Sequence, residues 1–383
     1  MLNRRHFLGS AAAAAGLLVA PSIALARAAT DRRFVFIIQR GAADGLATLA
    51  PVGDPAFSGL RGAFVEDAQA GAKLGSFFTL HPALLETEKL YGTGEALFVH
   101  AVASPYRDRS HFDGQNVLES GGDAAYKLRD GWMNRLLGLL PQGEGRAIAV
   151  SATVPLALRG PREVASYAPS ALPQANDDLL ARVSDLYRND NQLMPLWNEA
   201  MATRKLTGDL TAGGGQNAAA TGALAARLLK GPEGNRIAFI ETGGWDTHSG
   251  QRARLALQLK GLDALLAALK TGLGDDWSKT LVLVATEFGR TAAPNGTGGT
   301  DHGTASAAML LGGAVDGGKI VADWPGLAAA ALYEGRDLKP TTDLDALIAT
   351  ALAEHYGLDP VRVASALFPA GARPRVLPKL IRA

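Results

Sequence analysis

Phe34-Val35-Phe36-Ile37-Ile38 runs straight into Gln39-Arg40-Gly41-Ala42-Ala43-Asp44-Gly45, an unbroken apolar segment followed by a glycine-bounded turn that carries a carboxylate. The run is too short for an ordinary helix and does not alternate, so it fits a central strand covered on both faces. The same design recurs at Ala96 to Val102, Arg236 to Ile240 and Thr280 to Ala285. Helical patterns lie between these runs. Leu255, Leu259, Leu262, Leu265, Leu266 and Leu269 are spaced by threes and fours, from a start at Ser249 to a stop at Gly272. A second helix is expected from an N-cap at Thr342, with Asp345 three residues on, to Gly357. Strands alternating with helices predict an α/β fold, with a mostly parallel central sheet covered by helices on both faces. Ligands of such sheets bind outside the carboxyl ends of the strands, so the residues just after each strand hold the functional question.

The stretch from Pro169 to Gly234 reads differently. Polar helical segments at Asp177 to Tyr187 and Leu193 to Arg204 are followed by a Gly208 to Thr221 tract with Gly213-Gly214-Gly215. No Gly-Lys-Ser/Thr follows that tract, so it reads as a loop and not a phosphate cradle. The expected organisation is one α/β domain over residues 29–383, with a helical cap or insertion at about 169–234.

Hydrophobic residues at 47% and charged residues at 20% exclude disordered and coiled-coil classes. The 45 glycines and 19 prolines exclude a simple helical bundle and imply many turns. Without the three arginines of residues 1–28, Lys plus Arg stand at 35 against 37 Asp plus Glu, so a nucleic-acid partner is excluded for want of a basic surplus. No cysteine is present, which removes disulfides, thiolate metal sites and a cysteine nucleophile.

Asn3-Arg4-Arg5-His6-Phe7-Leu8 precedes an apolar, alanine-rich run to Ala20, and small-x-small sites follow at Ala24-Leu25-Ala26 and Ala26-Arg27-Ala28. Residues 1–28 therefore read as a twin-arginine export signal, with the twin-arginine translocase as partner and a periplasmic or secreted destination. The apolar run from Leu8 to Ala20 is too short to span about 30 Å of hydrocarbon, and no later stretch is both long enough and uncharged, so no stable membrane anchor is expected. This route carries folded proteins, which suits a metal inserted before export.

Four strand ends carry polar residues. The first offers Asp44, in a position that suits a metal ligand and equally an ordinary Asp-Gly turn. After the second strand, Arg107-Asp108-Arg109-Ser110-His111-Phe112-Asp113 leads into a helix, with Ser110 where an N-cap would sit. The same helix N-terminus would stabilise an oxyanion or phosphate. Glu241-Thr242-Gly243-Gly244-Trp245-Asp246-Thr247-His248 follows the third strand, and Asp246 with His248 can reach one ion of Zn, Mn or Fe. After the fourth strand, Glu287 would be costly to bury without a metal or Arg290 as partner, and Asp301-His302-Gly303-Thr304 lies past a loop from Pro294 to Thr300. Of the remaining histidines, His6 is in the signal, His355 reads as solvated, and His81 and His100 read as core or capping residues.

The signals for a zincin, an ordinary α/β-hydrolase elbow and a Rossmann nucleotide site are missing. A serine triad of Ser110, His302 and Asp246 stays formally open.

Arg40-Gly41-Ala42-Ala43-Asp44-Gly45, Arg109-Ser110-His111-Phe112-Asp113, Gly243-Gly244-Trp245-Asp246-Thr247-His248, Thr286-Glu287-Phe288-Gly289-Arg290-Thr291, Asp301-His302-Gly303 and the Thr341-Thr342-Asp343 helix, in that order and behind the export signal, resemble the exported DUF1501 family. That family resembles the alkaline phosphatase and sulfatase superfamily. The resemblance implies one or two divalent ions at the carboxyl edge of the sheet, beside a nucleophile at a helix N-terminus. It makes Asp44 the first-strand ligand, Ser110 the nucleophile, Asp246 and His248 the Asp…His pair, Glu287 the later carboxylate and His302 the last histidine. The pair here is spaced by two where the phosphatases commonly have four, and Glu287-Phe288 stands where they have Asp-His, which leaves the number of ions open.

The expected function is thus an exported hydrolase of a small phosphate or sulfate ester. A divalent metal, Zn or Mn, would be held by Asp44, Asp246, His248, Glu287 and His302 or a subset, with Ser110, His111 and Arg290 catalytic. Arg40, Arg109 or Arg290 would pair with the anionic group. The alternatives are a non-catalytic periplasmic binding or assembly protein on the same scaffold, and a metal-free serine hydrolase.

Overall fold

Strand β1 (Arg33–Gln39) shows why its apolar run is continuous. Phe34, Phe36 and Ile38 enter one core and Val35 and Ile37 the other, all fully buried, because successive side chains of a strand point to opposite faces. The computed structural model describes residues 31–141, 146–168, 177–207, 217–371 and 377–382. The expected signal at 1–28 and the Gly213 to Gly215 tract lie outside the described residues.

The other strands of the main sheet are β2 (Ala96–Ala103), β3 (Ala147–Val150), β4 (Ala165–Ser166), β5 (Ile237–Thr242), β6 (Thr280–Ala285), β7 (Ser306–Leu311), β8 (Lys319–Val321) and β9 (Thr342–Asp343). Among the described residues the order is β8-β2-β7-β6-β1-β5-β3-β4, with β9 beside β2. β1 lies parallel to β5, with Phe34 opposite Ile237, and to β6, with Arg33 opposite Thr280. The sheet is mostly parallel, as expected. β7 is the exception and runs antiparallel to both β2 and β6, since the chain returns to it from β6 without a crossover helix.

Helices cover both faces. On one side lie α2 (Trp132–Leu137), α7 (Leu344–Tyr356) and α8 (Pro360–Leu367), and on the other α5 (Ala218–Leu229) and α6 (Gln251–Leu273). α1 (His111–Ser120), between β2 and α2, carries part of the site, and α3 (Asp177–Tyr187) and α4 (Leu193–Thr207) fall where helices were expected. The leucine stripe of α6 is buried as a unit. The helix begins at Gln251, because the residue at its cap is Gly250 in a left-handed conformation. For α7 the cap is Asp343, whose side chain accepts from Ala346 N at 3.0 Å, while Thr342 belongs to β9.

α5 starts within the tract read as a loop, capped by Asn217, and buries Leu224, Ala225, Leu228 and Leu229 in the same core as the leucines of α6. One expectation needs correction. His355 is not solvated but fully buried, its Nε2 donating to the Arg33 carbonyl at 3.0 Å. His81 and His100 take the buried, backbone-bonded roles read for them. Among the described residues no helix is long and apolar enough to cross a membrane.

Candidate metal centre

Strands β1, β5 and β6 run side by side in one direction, so their carboxyl ends deliver the turns at Gly41, Asp246 and Glu287 to one edge. α1 brings His111 to the same place. The hairpin from β6 to β7 folds back with Arg290 bridged to His302. Close approach is built in: a Cβ on Gly303 would stand 2.3 Å from the Arg290 carbonyl carbon, and Gly41, at φ +118°, lies against the Asp246 backbone N, 2.6 Å from where its Cβ would be.

Three imidazoles gather there, with His302 next to both His111 and His248. His302 Nε2 lies 2.9 Å from His111 Nε2 and 2.9 Å from His248 Nε2. The Asp246 carboxylate closes the group, with Oδ1 3.0 Å from His248 Nε2 and 3.4 Å from His302 Nε2, and Oδ2 3.5 Å from His111 Nε2. Ligand atoms of His111, Asp246 and His302 all fall within 4.8 Å of one another.

The opposite nitrogen of each ring settles its tautomer. His111 Nδ1 meets Glu287 Oε1 at 2.8 Å, His248 Nδ1 meets Asp301 Oδ1 at 3.0 Å, and His302 Nδ1 meets the Arg109 carbonyl at 3.0 Å. All three partners only accept, so Nδ1 carries the proton in each ring and every Nε2 presents a lone pair. Acceptor nitrogens 2.9 Å apart with no donor between them call for a cation or a shared proton. Nitrogen ligands about 2.0–2.1 Å from a tetrahedral zinc stand about 3.3 Å apart, so each of the two 2.9 Å pairs made by His302 needs to open by only a few tenths of an ångström to admit such an ion. Histidine Nδ1 held by a carboxylate or carbonyl is also the usual outer partner of a metal-ligating ring.

Electrostatics keep the acids ionised. Burial pushes Glu287 up, but hydrogen bonds from His111, Gln115 and the Gly41 N–H overcome it and hold the carboxyl below its ordinary value. For Asp246, burial is likewise outweighed by the Arg290 hydrogen bond and charge. Asp301 is lowered by its bonds to Asn295 and His248. His111 is raised, first by the bond to Glu287, whereas burial and the neighbouring His111 lower His302. Phe288 stacks on His111, with centroids 5.0 Å apart, and tilts against His302 at 5.4 Å. Arg109 offers its carbonyl from a left-handed backbone, φ +61°, held by its side chain on buried Asp337.

Of the residues expected to hold a metal, Asp246, His248 and His302 come together. Glu287 reaches the cluster through His111, whose Nε2 stands beside that of His302 among the candidate ligand atoms. Asp44 is elsewhere: fully buried, it pairs with Arg61 at 2.6 Å, takes Gln251 Nε2 at 2.5 Å and caps the Gly45–Thr48 turn of helix. Ser110 occupies the N-cap of α1 but makes no capping bond with its side chain. Among the described residues no hydrogen bond joins Ser110 Oγ to His302, whose Nδ1 faces the Arg109 carbonyl and whose Nε2 faces His111 and His248, so the serine triad is not assembled. The three arginines expected to grip an anion are already committed: Arg40 to Glu119 and Glu241, Arg109 to Asp337 and Glu334, and buried Arg290 to Asp246 and Thr300. Asp301, Phe288, Gln115 and Asn295 are given no role at the site by the sequence pattern. Asp301 had a visible signal, an acid directly before a loop histidine.

Fold and site define an α/β protein with an imidazole-rich centre at the carboxyl edge of its sheet. Residues 93–368 match the family described as "Protein of unknown function (DUF1501)", and the chain belongs to that family. No curated protein matches it in sequence. Among solved structures it is similar to the C-terminal periplasmic domain of EcEptC from Escherichia coli, at 11% identity and TM-score 0.42 over 91% of this chain and 92% of that one. It is also similar to alkaline phosphatase from the Antarctic bacterium TAB5, at 12% identity and TM-score 0.35 over 73% and 91% of the two chains. A third similar structure is the lipoteichoic acid synthase LtaP from Listeria monocytogenes, at 10% identity and TM-score 0.36 over 73% and 65%.

Proposed function

We propose that this chain is an exported, metal-dependent hydrolase of a phosphate or sulfate ester, with a divalent ion, Zn or Mn, held by His111, His248, His302 and Asp246. The observation that carries the reading is the set of imidazole nitrogens gathered about His302 with every Nδ1 proton already given to an acceptor. When bound, the ion supplies a positive charge that polarises an ester oxygen. Around it, Glu287, Asp301 and the Arg109 carbonyl orient the rings, and Arg290 keeps Asp246 ionised. The N-terminus of α1, whose first N–H groups have no intrahelical partner, meets the tetrahedral oxyanion in place of a free arginine. Ser110, its hydroxyl not used as a cap, is the candidate nucleophile. Export by the twin-arginine route rests on Arg4-Arg5 and the run that follows.

One observation favours the alternative of a non-catalytic binding protein: Arg40, Arg109 and Arg290 are all held by carboxylates. Elemental analysis of the mature protein, followed by a chromogenic phosphate and sulfate ester panel with and without chelator, separates the two. The hydrolase reading expects stoichiometric metal and a turnover abolished by chelator, His302→Ala and Asp246→Ala. Metal without turnover on any ester favours binding, and hydrolysis indifferent to both variants overturns the proposed site.

A further inference from the structure

We propose that Asp44, Gln251 and Thr300 are positioning residues of the metal centre, linked to Asp246 by a buried hydrogen-bond relay. This rests on the metal reading above. Gln251 Nε2 donates to Asp44 Oδ2 at 2.5 Å, beside the Arg61 guanidinium at 2.6 Å. Gln251 Oε1 accepts from Thr300 Oγ1 at 2.5 Å and from Thr247 Oγ1 at 2.9 Å. Thr300 Oγ1 in turn accepts from Arg290 Nε at 3.1 Å, and Arg290 Nη1 donates to Asp246 Oδ1 at 2.7 Å.

The relay has one possible direction. Asp44 Oδ2, paired with Arg61, accepts from Gln251, which turns the Gln251 amide nitrogen toward it and the amide oxygen toward the two threonines. Thr300 spends its proton on that oxygen and presents a lone pair to Arg290. Turning any member round sets two donors or two acceptors against each other. Asp44, Gln251, Thr300 and Arg290 are each no more than 1% exposed, so solvent does not substitute for a lost link.

What the relay controls is specific to the site. Asp246 is 43% exposed, and the buried Arg290 fixes which lone pair of Oδ1 is taken and how the carboxylate is turned toward the three rings. Through Thr247 the same Gln251 oxygen also holds the residue between Asp246 and His248. The carboxylate after the first strand thus acts on the centre at a distance, through Gln251, and not as a ligand.

Thr300→Val keeps the shape of the side chain and removes the hydroxyl, and Thr300→Ser keeps the hydroxyl. The probe is Zn²⁺ alone, titrated into apoprotein against a chromophoric chelator, with Co²⁺ visible absorption as a report on ligand geometry and circular dichroism as a report on folding. Thr300→Val is expected to weaken Zn²⁺ binding about tenfold or more and to alter the Co²⁺ bands, while Thr300→Ser matches the wild type. Thr247→Val, which breaks the other bond to Gln251, is expected to weaken binding in the same direction and serves as the deciding variant if Thr300→Val does not fold. Wild-type affinity in the valine variant overturns the relay, as does an equal loss in Thr300→Ser. A wild-type protein that takes up no Zn²⁺ overturns the metal reading itself.

Discussion

His355 should make the protein acid-sensitive by an amount that can be worked out. It is fully buried, its Nε2 proton is given to the Arg33 carbonyl, and its Nδ1 has no partner. Burial, with the charge of Arg32, pushes the imidazole down to about 3 from an ordinary 6.5. Well above 6.5 the ring is neutral in folded and unfolded chains and contributes nothing to pH dependence. As pH falls below that, the unfolded chain binds a proton that the folded chain refuses, so stability is lost. Linkage puts the loss at about 0.2 kcal/mol at pH 7 and about 2 kcal/mol at pH 5. His100, pushed down to about 4 by burial, should add a similar loss over the same window. Asp345 acts in the opposite sense: burial raises its carboxyl, so it favours the folded state as pH falls. The test is therefore a difference between two proteins and not the shape of one curve. His355→Gln keeps an N–H for Arg33 and cannot titrate. Urea unfolding at pH 7, 6 and 5 should show the wild type losing about 2 kcal/mol more than the variant between the extremes. Parallel curves would refute a buried neutral imidazole at this position.

Glu287→Gln preserves shape but removes the charge that Gly41 N, His111 Nδ1 and Gln115 Nε2 share on Oε1. Zn²⁺ affinity should fall about 10- to 100-fold by chelator competition. Asp301→Asn, at a carboxylate 53% exposed, should cost less, and the reverse ranking would contradict the geometry. Gly303→Ala would place a Cβ 2.3 Å from backbone that has no room to yield, and should destabilise the protein by about 1–3 kcal/mol in urea titration. An unchanged midpoint would mean that the Arg290–His302 bridge is looser than it stands here.

The parts of the fold legible in the sequence were those whose burial is local in pattern. β6 spans the same residues as the expected strand, because apolar side chains on both faces leave no ambiguity. β5 continues to Thr242, beyond the apolar run, because Glu241 and Thr242 still pair with Ile38 and Gln39. β7 went unread: Ser306-Ala307-Ala308 lacks the branched residues that mark strands, and only its place between β2 and β6 makes it one. At the site, Asp246, His248 and His302 were legible because they follow strands in glycine-rich loops. The ligand-like role of His111 was not, since it depends on Glu287, 176 residues away. Nor was the fate of Asp44, which turns on Arg61 and Gln251. The burial of His355 is not legible either, since its place near the end of a helix reads as surface and only the fold packs it on the start of β1.

The replacement of an expected Asp-His by Glu287-Phe288 changes what the centre is built to hold. Phe288 contributes a flat apolar ring against His111 and His302, with no ligand atom, and Glu287 fixes a proton on the far side of His111. Both residues thus bear on the same imidazole cluster. Charge follows the same design. Asp246, Glu287 and Asp301 are all held below the ordinary carboxylate range and are therefore anionic at neutral pH, against Arg290 as the one guanidinium bonded to Asp246. Nearby Arg109 and Arg336 are balanced by Asp337 and Glu334. Asp246, Glu287 and Asp301 with Arg290 together carry a net charge of about −2, which would attract a cation to the cluster. In the proposed centre a single dication would cancel that charge, and a second would leave the edge positive.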